Sequence, residues 1–246
     1  MKYLFSRVSN GWIQQNQKLP MFKIQSLTVQ FGENLVLDNV EAEFPESEIH
    51  GIVGFNGSGK STLFNTLLGY LTPNEGTVSF RGEKLEKGTI GFLPTQNFFY
   101  SYLKGKEYLD IFPHNLPEET YSALEKAVGL PLNELVEGYS SGMKKKLALL
   151  GILKLNREVY LLDEPFNGLD IESVFLVKKI AESLKASGKT VFITSHIPET
   201  LVGICDSFHL IRNKKLELVS GETYSKTMQE NFNTAFEEEL EGKLKF

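Results

Sequence analysis

The hydrophobic positions of the chain change period several times, and each change marks an element. From Phe22 they alternate through Ile24, Leu27, Val29 and Phe31; after the turn Gly32-Glu33-Asn34 they alternate again from Leu35 to Phe44. Two antiparallel strands are predicted there, closed by a second turn at Pro45-Glu46-Ser47. An apolar run with Ile49, Ile52 and Val53 follows, then a glycine-rich stretch, then Leu63, Phe64, Leu67, Leu68 and Leu71 at helical spacing. This reads as strand, loop, helix.

Further on, short strands are predicted at Thr77–Phe80 and at Thr89–Leu93, the second stopped by Pro94. Residues 97–135 are aromatic at first (Phe98, Phe99, Tyr100, Tyr102) and then helical, with Pro117, Glu118 and Glu119 suited to a helix start and Gly129 to its end. They read as a helical insertion too small for a core of its own. Gly142–Leu155 is a helix with apolar residues around much of its circumference, which extends the helical subdomain over about residues 97–155. Val159–Leu162 and Thr190–Thr194 are short and apolar, as strands of a parallel sheet covered on both faces are. Between them an amphipathic helix runs from Ile171 to Ser187 and stops at Gly188. A helix is predicted over Ile197–Cys205, and a hairpin pairs Phe208–Ile211 with Leu216–Val219 around Asn213-Lys214. Residues 1–20 and 221–246 are weakly patterned; the first read as an extension outside the fold, open to disorder, and the second as an acidic tail. The fold class is α/β, with the main domain over residues 21–220.

Composition changes this picture little. At 246 residues, 41% hydrophobic and 23% charged, the chain can form one large α/β domain or two small ones. A net charge of −5 argues against nucleic acid as the main partner. The single cysteine, Cys205, excludes an intramolecular disulfide and fits a reducing compartment. No apolar run approaches the roughly 20 residues of a membrane span, and the first residues make no signal peptide. The expectation is a cytosolic protein whose membrane role, if it has one, needs a partner chain.

The chemistry lies where apolar runs end. Gly54-Phe55-Asn56-Gly57-Ser58-Gly59-Lys60-Ser61 has the spacing of a phosphate-binding loop between strand and helix. Its amides and the helix N-terminus suit an anion, Lys60 supplies a charge for the β- and γ-phosphates, and Ser61 supplies a hydroxyl for Mg²⁺. Asp163 and Glu164 follow a buried strand. Mg²⁺ needs only one or two protein oxygens beside phosphates and water, so Asp163 with Ser61 suffices, leaving Glu164 to hold an attacking water. His196, just past the next strand, can bridge the γ-phosphate and that water. Gln96 can reach Mg²⁺ from the loop after the Thr89–Leu93 strand. Ser140-Ser141-Gly142 opens a helix and forms either a plain cap or a second anion site. Lys144-Lys145-Lys146 reads as a solvated basic face, or otherwise as an electrostatic contact to a partner or to anionic lipid. In an open parallel sheet, groups at the carboxyl ends of strands converge on one ligand.

In this order the residues resemble the ATP-binding cassette (ABC) ATPases, the nucleotide-binding subunits of ABC transporters. GFNGSGKST, from Gly54 to Thr62, is similar to Walker A; VYLLDEP to Walker B; FNGLD, with Asp170, to the D-loop; and TSH to the switch histidine. Phe31 stands where the family places an aromatic that stacks on adenine. YSSGM replaces the LSGGQ signature, keeping Ser140 and Gly142 but placing Tyr139, Ser141 and Met143 at the other positions. The Q-loop residue is either Thr95, directly after Pro94, or Gln96, and the favoured reading is Gln96. The resemblance implies a P-loop NTPase, RecA-like core with a mostly parallel sheet, an N-terminal antiparallel β subdomain and a helical ABC-specific subdomain. It implies ATP and Mg²⁺ as ligands and a second ABC subunit, in a homodimer, whose signature completes each site. It also implies a membrane permease on a separate chain and a place on the cytoplasmic face of the membrane. A soluble ABC ATPase driving a non-membrane assembly and a low-turnover nucleotide switch are the alternatives.

Overall fold

The alternating N-terminal stretch forms β1 (Pro20–Phe31) and β2 (Asn34–Pro45), paired antiparallel with Phe22 opposite Phe44. The structure is a computed structural model that describes residues 20–83 and 88–219; the flanking segments 1–19 and 220–246 lie outside them. On the other side of β1, β4 (Glu75–Phe80) adds a third antiparallel strand. Phe22, Ile24, Leu27, Leu37 and Phe44 are completely buried on one face of this sheet. Each such side chain contributes about 1.5–3 kcal/mol by leaving water.

The second sheet has six strands: β3 (Ile49–Val53), β5 (Ile90–Leu93), β6 (Val159–Leu162), β7 (Thr190–Ser195), β8 (Ser207–Arg212) and β9 (Lys215–Val219). Their order is β5-β6-β7-β3-β8-β9. All neighbours are parallel except the β8–β9 hairpin, whose turn residues Asn213 and Lys214 both take positive φ (49° and 65°). Every residue of β3, β6 and β7 is buried. The period of two explains how. Ile49, Val53, Leu162, Val191 and Ile193 face a layer made by α4 (Ser141–Lys154) and α5 (Ile171–Ala186). Ile52, Leu161 and Phe192 face α1 (Lys60–Leu67) and the antiparallel sheet.

In the middle of β3, His50 packs on Phe44 and Phe192 and binds Ser207 Oγ and the Pro45 carbonyl at 2.8 and 2.9 Å. His209 on β8 lies against Phe44; burial, then its neighbour His50, pushes its pKa down to about 3, so it stays neutral.

The insertion holds α2 (Gly105–Asp110) and α3 (Glu118–Val128), the latter preceded by Pro117 and closed by Gly129 at φ 62°. Its apolar side chains are buried against α4, where Leu109, Val136 and Tyr139 meet Leu147 and Leu150. Because α4 also packs on the main sheet, the two bodies share one helix. The helix expected over Ile197–Cys205 does not form: a single 3₁₀ turn spans Pro198–Thr200. Ser195 Oγ binds the Ile197 amide, Thr200 Oγ1 binds the Ile197 carbonyl, and Gly203 takes φ 84°. Local hydroxyls thus capture backbone groups that a helix would need.

Candidate functional site

The strand order sets the site. β5, β6, β7 and β3 lie side by side and parallel, so the residues after Leu93, Leu162, Ser195 and Val53 emerge along one edge. A cavity of about 460 Å³ opens there, lined by Phe31, Asn34, Val36, Asn56, Gly57, Gly59, Lys60, Ser61, Thr62, Thr95, Asp163, Glu164 and Asn167. A second hollow, between α3 and α5, is apolar and remote from these groups.

The loop from Gly54 to Gly59 depends on its glycines, Gly57 among them at φ 80°. A side chain at Gly54 would lie 2.4 Å from Ser58 Oγ, and Gly59, capping α1, sits at φ 110°. Lys60 is 7% exposed; its ammonium donates to the carbonyls of Gly54 (2.8 Å) and Phe55 (3.1 Å) and stands 3.4 Å from Glu164 Oε1. The buried Ser58 hydroxyl has no hydrogen-bond partner among the described residues.

Asp163, 4% exposed, is held by three hydroxyls. Ser61 and Thr95 donate to Oδ2 at 3.0 and 2.8 Å, and Thr194 donates to Oδ1 at 2.6 Å. Glu164, 6% exposed, takes a left-handed backbone at φ 49°. Its amide donates to Thr194 Oγ1, and its Oε2 meets His196 Nδ1 at 2.8 Å and accepts from the His196 amide at 3.3 Å. His196 therefore reaches the cavity through Glu164.

Among the expected residues, Lys60, Ser61, Asp163, Glu164 and His196 are brought together. Phe31 projects at the cavity mouth, half exposed. Gln96 is exposed and does not line the cavity; the hydroxyl of Thr95 takes the place beside Asp163. Ser140, Ser141 and Gly142 are not brought to it. They begin α4, with Ser140 Oγ accepting from the Met143 amide at 3.2 Å, and pack against the loop at Gly168. Asp170 caps α5 by accepting from the Ser173 amide at 2.7 Å, a bond that holds its carboxyl below the usual range.

Sequence reasoning missed two groups. Thr194 carries a hydroxyl at the end of an apolar strand, and a buried polar atom there needs a partner. Lys145 is not part of a solvated face: it is 6% exposed and donates to the Glu164 carbonyl at 2.7 Å.

A family model for "ABC transporter" matches residues 37–167, more than half of the chain. The ABC transporter ATP-binding protein YhaQ of Bacillus subtilis is 30% identical over 207 residues, covering 79% of this chain and 69% of the relative. The lantibiotic transport ATP-binding protein SrtF of Streptococcus pyogenes is 30% identical over 220 residues, covering 87% and 96%. A solved ATP-binding subunit of an ABC transporter superposes with a TM-score of 0.76 at 24% identity, over 85% of this chain and 93% of that one, which establishes likeness of fold.

Proposed function

The chain belongs to the ABC transporter family, and from the geometry of its cavity we propose that it is the Mg-ATP-hydrolysing subunit of a multi-chain transporter. The observation that carries this reading is Glu164: a buried carboxylate that lines the cavity, fixed by His196 and standing beside Lys60 of the phosphate loop.

In this reading the triphosphate lies along the amides of Gly57–Ser61, with Lys60 leaving its carbonyl partners to neutralise the β- and γ-phosphates. The Phe31 ring, at the cavity wall, suits the adenine. Asp163 with the hydroxyls of Ser61 and Thr95 makes a hard-oxygen set that fits Mg²⁺. That ion would supply charge neutralisation of the phosphates. Glu164 orients a water and takes its proton as the oxygen attacks the γ-phosphorus in line; the bond to the β-phosphate oxygen breaks, releasing ADP and phosphate. His196 holds the Glu164 carboxylate in place. Thr95 rather than Gln96 serves as the loop residue that senses the site.

Ser140, Ser141 and Gly142, which do not line this chain's own cavity, act on the nucleotide of a second copy. A separate permease chain docks on the exposed aromatic rings of Tyr70, Phe98, Tyr100 and Tyr102, which puts the subunit on the cytoplasmic face of the membrane. Among the described residues no helix is long and apolar enough to cross one. SrtF, named for lantibiotic transport, supports the transport assignment.

The test is Glu164→Gln. ATP binding should persist while turnover falls by about 10² or more, the usual weight of a general base, and an ATP-bound dimer should accumulate on size-exclusion chromatography. Wild-type turnover in the variant sinks the assignment of Glu164.

A further inference from the structure

We propose that Lys145 is a positioning residue that holds Glu164 in its left-handed backbone and so ties the catalytic carboxylate to the helix bearing Ser140–Gly142; this rests on the reading of Glu164 given above. A glutamate at φ 49° occupies a sparsely populated region, and such a residue persists only where its surroundings over-determine it. Here they do. Thr194 Oγ1 accepts the Glu164 amide at 2.8 Å. The Glu164 carbonyl receives Lys145 Nζ at 2.7 Å and the Asn167 amide at 3.3 Å. Pro165 follows and disfavours the right-handed helical alternative. Lys145 supplies the shortest and the only charged contact of this set.

Its placement is costly, and what sets it apart is the carbonyl it holds, that of Glu164. Lys145 is almost fully buried between two flanking lysines that are not, and an ammonium out of water needs compensation. Burial lowers its pKa, while the carboxylates of Glu164 and Asp163 act in the opposite sense. Released from Lys145, the Glu164 carbonyl could rotate and carry the carboxylate away from Lys60 and His196, in a reaction where a displacement of an ångström matters. Lys145 also lies one turn beyond Ser141 in α4, so a shift of the signature end moves the ammonium that fixes Glu164.

The same helix contains an internal control. Lys154 is 5% exposed and donates to the Leu109 carbonyl at 2.6 Å, far from the cavity and inside the helical subdomain. It is a buried lysine on a carbonyl with no catalytic neighbour.

The experiment compares the full-length wild type with Lys145→Met, Lys145→Arg and Lys154→Met, reading steady-state ATP hydrolysis, nucleotide affinity by direct titration and thermal midpoint. For Lys145→Met, kcat should fall by about ten- to a hundredfold while ATP affinity changes little. Lys145→Arg should recover most of kcat, and Lys154→Met should lose thermal stability yet keep kcat. Wild-type kcat in Lys145→Met overturns the proposal, as does a loss that Lys145→Arg fails to rescue or that Lys154→Met reproduces. A wild-type chain without turnover overturns the catalytic reading itself, a different result from any of these.

Discussion

The phosphate cradle and the first turn of α4 are both suited to anions, but only one of them is finished within the chain. Around the cradle the charged groups have partners: Lys60 holds two carbonyls and Glu164, three hydroxyls hold Asp163, and His196 holds Glu164. At α4, Ser140 satisfies the Met143 amide. The amides of Ser141 and Gly142, being in the first turn, have no intrahelical acceptor. In the proposed dimer, a cradle that is internally neutralised can fold and wait, whereas a partly exposed helix end with donors left over would look to the nucleotide of a second copy. The difference teaches that the cradle and the α4 end, linked through the Gly168 loop and Lys145, are unlike in how fully the chain itself satisfies them.

The largest effect should come from the finished half. Lys60→Ala removes the cradle's lysine and should weaken ATP binding by about 3 kcal/mol, roughly a hundredfold; unchanged affinity in a calorimetric titration would break the comparison at its stronger end. Next, Ser140→Ala and Gly142→Ala strike the other half. The first deletes the cap, worth about 1 kcal/mol, and the second places a methyl 3.1 Å from the Gly168 carbonyl oxygen. Turnover should drop about tenfold by loss of the helix-end contacts, with ATP affinity of the dilute chain unaltered; affinity falling in step would mean that the halves are not separate. The smallest effect separates two adjacent residues. Thr95→Ala should raise the Mg²⁺ concentration for half-maximal turnover about two- to tenfold, the worth of one hydrogen bond, and Gln96→Ala should leave it unchanged. The reverse ranking would return the role to Gln96.

Much of the finished half was legible beforehand because it is local. Gly54 to Ser61 is contiguous, and its loop needs glycine at particular φ values whatever surrounds it. Asp163, Glu164 and His196 were legible because a polar residue directly after a buried strand has few places to go. The choice between Thr95 and Gln96 was not. It depends on the register of β5 against β6, where Leu93 faces Leu162, and on the bond from the Asp163 amide to the Leu93 carbonyl. Lys145 was hidden for a related reason. Three consecutive lysines look alike in composition, and only the packing of α4 decides which of them enters the core.

The amino-acid sequence by itself therefore determined most of the element order, the short apolar runs that bury both faces of β3, β6 and β7, and the phosphate loop, all of which follow from residue type and spacing within a few positions. Tertiary structure alone decided that β5 lies beside β6, that Thr194 and Thr95 share Asp163, that residues after Pro198 make a turn instead of a helix, and that Lys145 grips Glu164. Those contacts join residues far apart along the chain, and their geometry is set by how the layers pack rather than by any local preference.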